Sequence, residues 1–186
     1  MTAARMLAPL GLGVLAVMVP AQGQETYDFM PKGGRVLLLE AIGEPVDAGT
    51  MREIVTQKRS VDEWRAIFAE HSGMEGSNEL ETLVNYLAVN TPVAAEALDK
   101  AQAESDIAAA LPPDGRDLAW ENCQFCHSLF TAYLTIDRDV QGWRSTFETP
   151  FHREMRLTET ERETFSRYSA INMPMRYQDV PEDLRF

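Results

Sequence analysis

The feature that most constrains the fold is a match of the chain with itself. Shifted by about 81 residues, Gly34-Arg35 falls on Gly115-Arg116, Leu37 on Leu118 and Glu40 on Glu121. Trp64-Arg65-x-x-Phe68 aligns with Trp143-Arg144-x-x-Phe147, and His71-x-x-Met74 with His152-x-x-Met155. Tyr86-x-Ala88-x-Asn90-x-Pro92 aligns with Tyr168-x-Ala170-x-Asn172-x-Pro174. The order is kept and the shift drifts by only a residue or two, as loop insertions would make it. A degenerate tandem duplication is expected, and with it two units of one architecture rather than one large core.

The local signals are helical. Ser60-x-x-Glu63 and Thr158-x-x-Glu161 have the form of capping boxes, and Asn78-x-x-Glu81 is a third. Leu80, Leu83, Val84 and Leu87 recur at helical spacing. Residues 94–111 are rich in Ala and Glu without Gly or Pro and read as a linking helix, stopped by Pro112-Pro113-Asp114-Gly115. No alternating β-branched run is long enough for a sheet.

Residues 1–23 read as an export signal. Arg5 gives a positive start, Met6 to Val19 is apolar, and Val19-Pro20-Ala21 or Ala21-Gln22-Gly23 offers the small residues a signal peptidase needs. The apolar run is about 14 residues long, short of the roughly 20 that span a bilayer as a helix. The expected organisation is a signal at 1–23, a first unit at 24–93, a linker at 94–111 and a second unit at 112–186. The mature protein is expected to be periplasmic, with no transmembrane segment.

The two units differ where chemistry is concerned. Cys123-Gln124-Phe125-Cys126-His127 is C-x-x-C-H and contains both cysteines of the chain, and this pattern is the attachment signature of c-type haem. On one helical turn two thiols three residues apart can each bond a vinyl group, while the next residue turns its imidazole to the iron. A zinc site would need a fourth ligand and usually a second cysteine pair. A redox dithiol would want a βαβ setting, and a disulfide across two residues would close a small strained ring. One covalent haem per chain is expected, on Cys123 and Cys126, with His127 as proximal iron ligand. The first unit has Ile42, Pro45 and Val46 at these positions and cannot attach haem. There Leu37, Leu38, Leu39 and Ile42 are expected to fill the space instead.

On these residues the second unit resembles the class I cytochromes c. Gly115 stands eight residues before Cys123, as in the family, although the aromatic expected four residues after the glycine is Ala119, with Trp120 beside it. The helix expected over Thr158 to Ile171, with Tyr168-x-Ala170, is similar to the family's C-terminal helix, which packs across the haem helix. The resemblance covers residues 112–186 and implies haem c, a mainly helical fold and electron transfer. The whole chain is therefore expected to be all-α, as two tandem cytochrome-c-like units of which the first lacks the haem motif.

In the family the distal methionine comes from the loop before the last helix, where this chain offers Met155 and His152. A thioether would favour the ferrous state relative to a second imidazole. Met173 and Met175 are a third possibility, because their first-unit counterparts are Thr91 and Val93. His71 reads as a first-unit loop residue.

The chain carries 29 acidic against 17 basic side chains, a formal charge of -12, so its summed field repels phosphate backbones and excludes nucleic acid as a natural partner. No G-x-S-x-G, H-E-x-x-H or Gly-rich phosphate loop occurs. The expected function is single-electron transfer, as a carrier or as the cytochrome subunit of a periplasmic oxidoreductase, with a partner that docks through a basic surface. The alternative is a haem protein that binds or senses a small ligand such as NO, CO or peroxide.

Overall fold

The computed structural model describes residues 27–70, 74, 76–124 and 126–186. The expected export signal and His71 lie outside the described residues. Among those described there is no strand, and no helix is long and apolar enough to cross a membrane. The first half contains α1 (Gly34–Ile42), α2 (Ala48–Val55), α3 (Val61–Ala69), α4 (Asn78–Asn90) and α5 (Ala95–Ala103), then a 3₁₀ turn at Ile107–Ala110. The second contains α6 (Gly115–Cys123), a π turn at Phe130–Leu134, α7 (Val140–Thr146), α8 (Pro150–Arg153) and α9 (Glu159–Asn172). Short 3₁₀ turns at Tyr177–Asp179 and Glu182–Leu184 close the chain.

Side chains set the helix starts. Ser60 and Thr158 form reciprocal capping boxes with Glu63 and Glu161, as expected, and a cap of this kind is worth about 1 kcal/mol. The third box does not form. Ser77 caps α4 by accepting from the Leu80 N–H at 3.2 Å, and Asn78 is the first helical residue. Glu81 turns instead to Arg65, which holds both its oxygens at 2.7 and 2.9 Å; a bidentate charged pair outcompetes a return to the helix start. The segment at 94–111 is helical only as far as Ala103, because Ser105 adopts a positive φ of 59° and the chain restarts as a 3₁₀ turn. Leu98, Ile107 and Leu111 are buried in the first core, so the segment is packed against that half.

The described residues form two cores. Leu37, Leu38, Met51, Trp64, Leu83 and Leu87 belong to the first, and Leu118, Tyr133, Trp143, Phe147, Phe165 and Tyr168 to the second. In each, the opening helix crosses the closing one at a glycine. A Cβ on Gly34 would stand 2.2 Å from the Tyr86 Cβ, and one on Gly115 would stand 2.1 Å from the Tyr168 Cβ. No larger residue permits these crossings of α1 with α4 and α6 with α9. Helix α3 packs on α4 and α7 on α9 in the same way.

Helices α4 and α9 then pack against each other and join the cores. The bonds across this contact come in reciprocal pairs. The Tyr86 hydroxyl donates to the Pro112 carbonyl at 2.7 Å, and the Tyr168 hydroxyl to the Pro31 carbonyl at 2.6 Å. Asn90 Nδ2 donates to Thr164 Oγ1 at 2.9 Å, and Asn172 Nδ2 to Thr82 Oγ1 at 2.9 Å. Met30, just before Pro31, is buried in the second core, while Leu111, just before Pro112, is buried in the first. Every one of these residues is matched with its counterpart by the shift of about 81 residues, so the contact has the isologous form of a two-fold interface.

Candidate functional site

The position of Cys123 is set at the far end of its helix, by Asp114. This fully buried carboxylate accepts from the Arg116 and Asp117 N–H groups through Oδ1, at 3.0 and 3.1 Å, which starts α6. Through Oδ2 it accepts from the Arg35 N–H at 3.1 Å, at the start of α1. Two helix N-termini therefore converge on one anion, a favourable use of their exposed donors. Burial, and then the neighbouring Asp117 carboxylate, push the Asp114 carboxyl above its ordinary range, although the backbone donors oppose this.

Helix α6 ends at Cys123, so Cys126 and His127 occupy the turn beyond it rather than a continuing helix. Local bonding explains the early end. The Asn122 and Gln124 side-chain amides donate back to the Leu118 and Trp120 carbonyls at 2.8 and 2.9 Å, competing with the backbone for the last acceptors. Cys123 is half-buried and Cys126 exposed, and neither is in a disulfide. Burial pushes the Cys123 thiol up to about 12.

Both cysteines open onto a cavity of about 360 Å³ between α6, the π turn, α7, α8 and α9, within the span of about 300–1,000 Å³ usual for ligand sites. Its wall is apolar and aromatic: Leu118, Tyr133, Trp143, Phe147, Leu157 and Phe165. The aromatic rings brace one another edge-to-face, Tyr133 on Trp143 at 5.2 Å and Trp143 on Phe165 at 5.9 Å. The π turn at Phe130–Leu134 delivers Tyr133, whose hydroxyl shares a 3.0 Å hydrogen bond with Ser169 Oγ inside the core.

The structure brings most of the expected site residues together at this cavity. Cys123, Cys126, His127, His152 and Met155 all line it. The His127 and His152 ring centroids lie 6.0 Å apart, with the planes inclined at 56°. Met173 is not in the wall; it is buried in the second core at the end of α9. Met175, beside it, donates its N–H to the Leu134 carbonyl at 2.7 Å. Two features of the site were not anticipated from the sequence. Phe151 stands at the mouth, 88% exposed, and Thr149 Oγ1 lies 2.8 Å from His152 Nδ1. The Thr-x-x-His spacing ahead of a Pro-started helical turn was the available signal for the second.

The chemistry of this lining suits a large, flat, apolar group carrying a metal and a polar edge. Two thiols, two imidazoles and a thioether meet an aromatic wall, and the buried Trp143 Nε1–H has no acceptor among the described residues. Among the described residues no group of three or more His, Cys, Asp or Glu is arranged to hold a bare ion. In the first half, Leu39, Ile42 and Val46 pack against the core at the corresponding place. Trp64, the counterpart of Trp143, also has a buried Nε1–H without an acceptor among the described residues, and Arg59 lies over its ring at 5.6 Å as Arg138 lies over Trp143 at 5.3 Å.

Compared with known proteins, the chain matches no family model, no curated protein and no solved structure.

Proposed function

We propose that the protein is an exported c-type cytochrome that transfers single electrons through one haem in its second half. The observation that carries this reading is the meeting of Cys123, Cys126 and His127 at the mouth of an aromatic cavity. Cys123 and Cys126 would form the thioether bonds, and His127 would supply the proximal nitrogen. The group supplies, when bound, a one-electron ferric/ferrous couple that a donor protein reduces and an acceptor reoxidises. The aromatic wall of Tyr133, Trp143, Phe147 and Phe165 would exclude water from its face. The turn after α6 keeps the attachment side at the surface, where Cys126, His127 and Phe151 are exposed, so that electrons need cross little protein to reach a partner.

In this reading the first half is a cytochrome-like unit without a cofactor, its core completed by Leu39, Ile42 and Val46. The charge of -12 favours a partner with a basic docking surface and an association that slows as salt is raised. The test is haem stoichiometry. A pyridine haemochrome assay on the exported protein should give one covalent haem per chain, lost in the Cys123→Ala/Cys126→Ala variant. Two haems, or staining that survives the double change, would overturn the assignment.

A further inference from the structure

The haem reading leaves the second axial position of the iron open, and we infer that His152 fills it, oriented by Thr149. The iron would then be held between two imidazoles. This inference rests on the proposed attachment of haem at Cys123 and Cys126, and two independent observations support it.

One is distance. The His127 and His152 ring centroids are 6.0 Å apart. A metal bound by one nitrogen of each ring at about 2.0 Å, with each ring centre about 1.1 Å behind its nitrogen, would separate the centroids by roughly 6.2 Å. The inclination of 56° is compatible, because two axial rings can turn freely about the line that joins them through the metal.

The other is the tautomer. Thr149 has one hydroxyl proton and donates it to the Thr146 carbonyl at 2.8 Å. Towards His152 Nδ1, also 2.8 Å away, the hydroxyl oxygen is therefore the acceptor, and the proton of the neutral ring sits on Nδ1. The free lone pair is then on Nε2, the nitrogen a metal needs; the bond made by one ring nitrogen decides the role of the other. The holder is itself fixed. Thr149 is the N-cap residue of α8, Pro150 follows it, and the Arg153 N–H donates to its carbonyl at 2.9 Å.

Met155 lines the same cavity and packs against the second core. The repeat does not separate it from His152, since His71 and Met74 both stand in the half that has no cysteines, so the assignment rests on the ring distance and on the Thr149 contact. Met173 is outside the cavity wall. Thr149 is a positioning residue: by accepting from Nδ1–H it makes Nε2 the stronger donor and favours ferric iron.

The experiment uses the exported full-length holoprotein and its variants, each first checked for covalent haem by haemochrome assay. The ferric wild type should give a low-spin EPR spectrum without the sulfur-to-iron charge-transfer band in the near infrared. His152→Ala should keep its haem, turn high-spin, bind CO when reduced and regain the low-spin state with added imidazole. Met155→Leu should stay low-spin. Thr149→Val should raise the reduction potential, and Thr149→Ser should restore it. A sulfur-to-iron band abolished by Met155→Leu, or a low-spin His152→Ala protein, would assign the ligand elsewhere. An unchanged potential in Thr149→Val would remove Thr149 from the assignment. Wild-type protein exported without covalent haem would overturn the attachment reading and this one together, which sets that failure apart from a wrong axial ligand.

Discussion

Tyr168 lies so close to Gly115 that a methyl group on the glycine would stand 2.1 Å from the tyrosine Cβ, while the hydroxyl of the same tyrosine donates to Pro31 in the other half. One side chain thus sets the crossing of α6 with α9 and ties the halves together. Gly115→Ala should destabilise the protein by about 1–3 kcal/mol through overpacking, read as a lower urea midpoint. Gly34→Ala, against Tyr86, should cost a similar amount. Tyr168→Phe keeps the packing and orphans only the Pro31 carbonyl, at about 1 kcal/mol.

Asp114→Asn should cost about 1–3 kcal/mol, because one carboxylate oxygen that accepts from a helix N–H becomes an amide that faces it as a donor. Its pH dependence has a definite sign. Burial holds the folded Asp114 carboxyl above its ordinary 3.8. Ionisation is therefore harder in the folded state, and the resulting penalty is fully present above the folded pKa and fades as pH falls towards 3.8. Urea titrations at a series of pH values should find the advantage of the wild type over Asp114→Asn widening on acidification.

Glu81 titrates in the opposite sense. The Arg65 hydrogen bonds hold its carboxyl below the ordinary 4.5, so its contribution is complete above 4.5 and is lost as pH falls through the lower folded value. Glu81→Gln should cost no more than about 1 kcal/mol at neutral pH, as suits a half-exposed ion pair. The difference should vanish in acid, in the same urea titrations.

Protein made in cells that cannot attach haem should present two unequal thiols. Alkylation follows the thiolate fraction and access, and burial pushes Cys123 up to about 12 while Cys126 is exposed. Iodoacetamide at neutral pH should therefore modify Cys126 first, as peptide mass spectrometry would detect. Equal rates would show that the end of α6 opens in the haem-free protein.

What could be read along the chain was what neighbouring residues decide among themselves. The caps at Ser60 and Thr158 are local, and both form as expected. Asn78 lost its cap because Arg65, from another helix, claims Glu81. The helix at 94–111 stops early, at Ala103, and the backbone bends at Ser105 to carry Ile107 and Leu111 into a core that the segment itself does not reveal. At the site, the cysteine spacing was legible. The contrast between His152 and Met173 was not, because it depends on which of them the packing of α8 and α9 turns towards the cavity.

The reciprocal contact of α4 with α9 also has a consequence for behaviour at low concentration. Two separate chains joined by such surfaces would part on dilution, but here the partners belong to one polypeptide. Tethering of this kind holds the two surfaces at an effective concentration of about millimolar or more, whatever the amount of protein in solution. The half without cysteines therefore behaves as a permanently bound subunit, always present in a one-to-one ratio with the half that carries them.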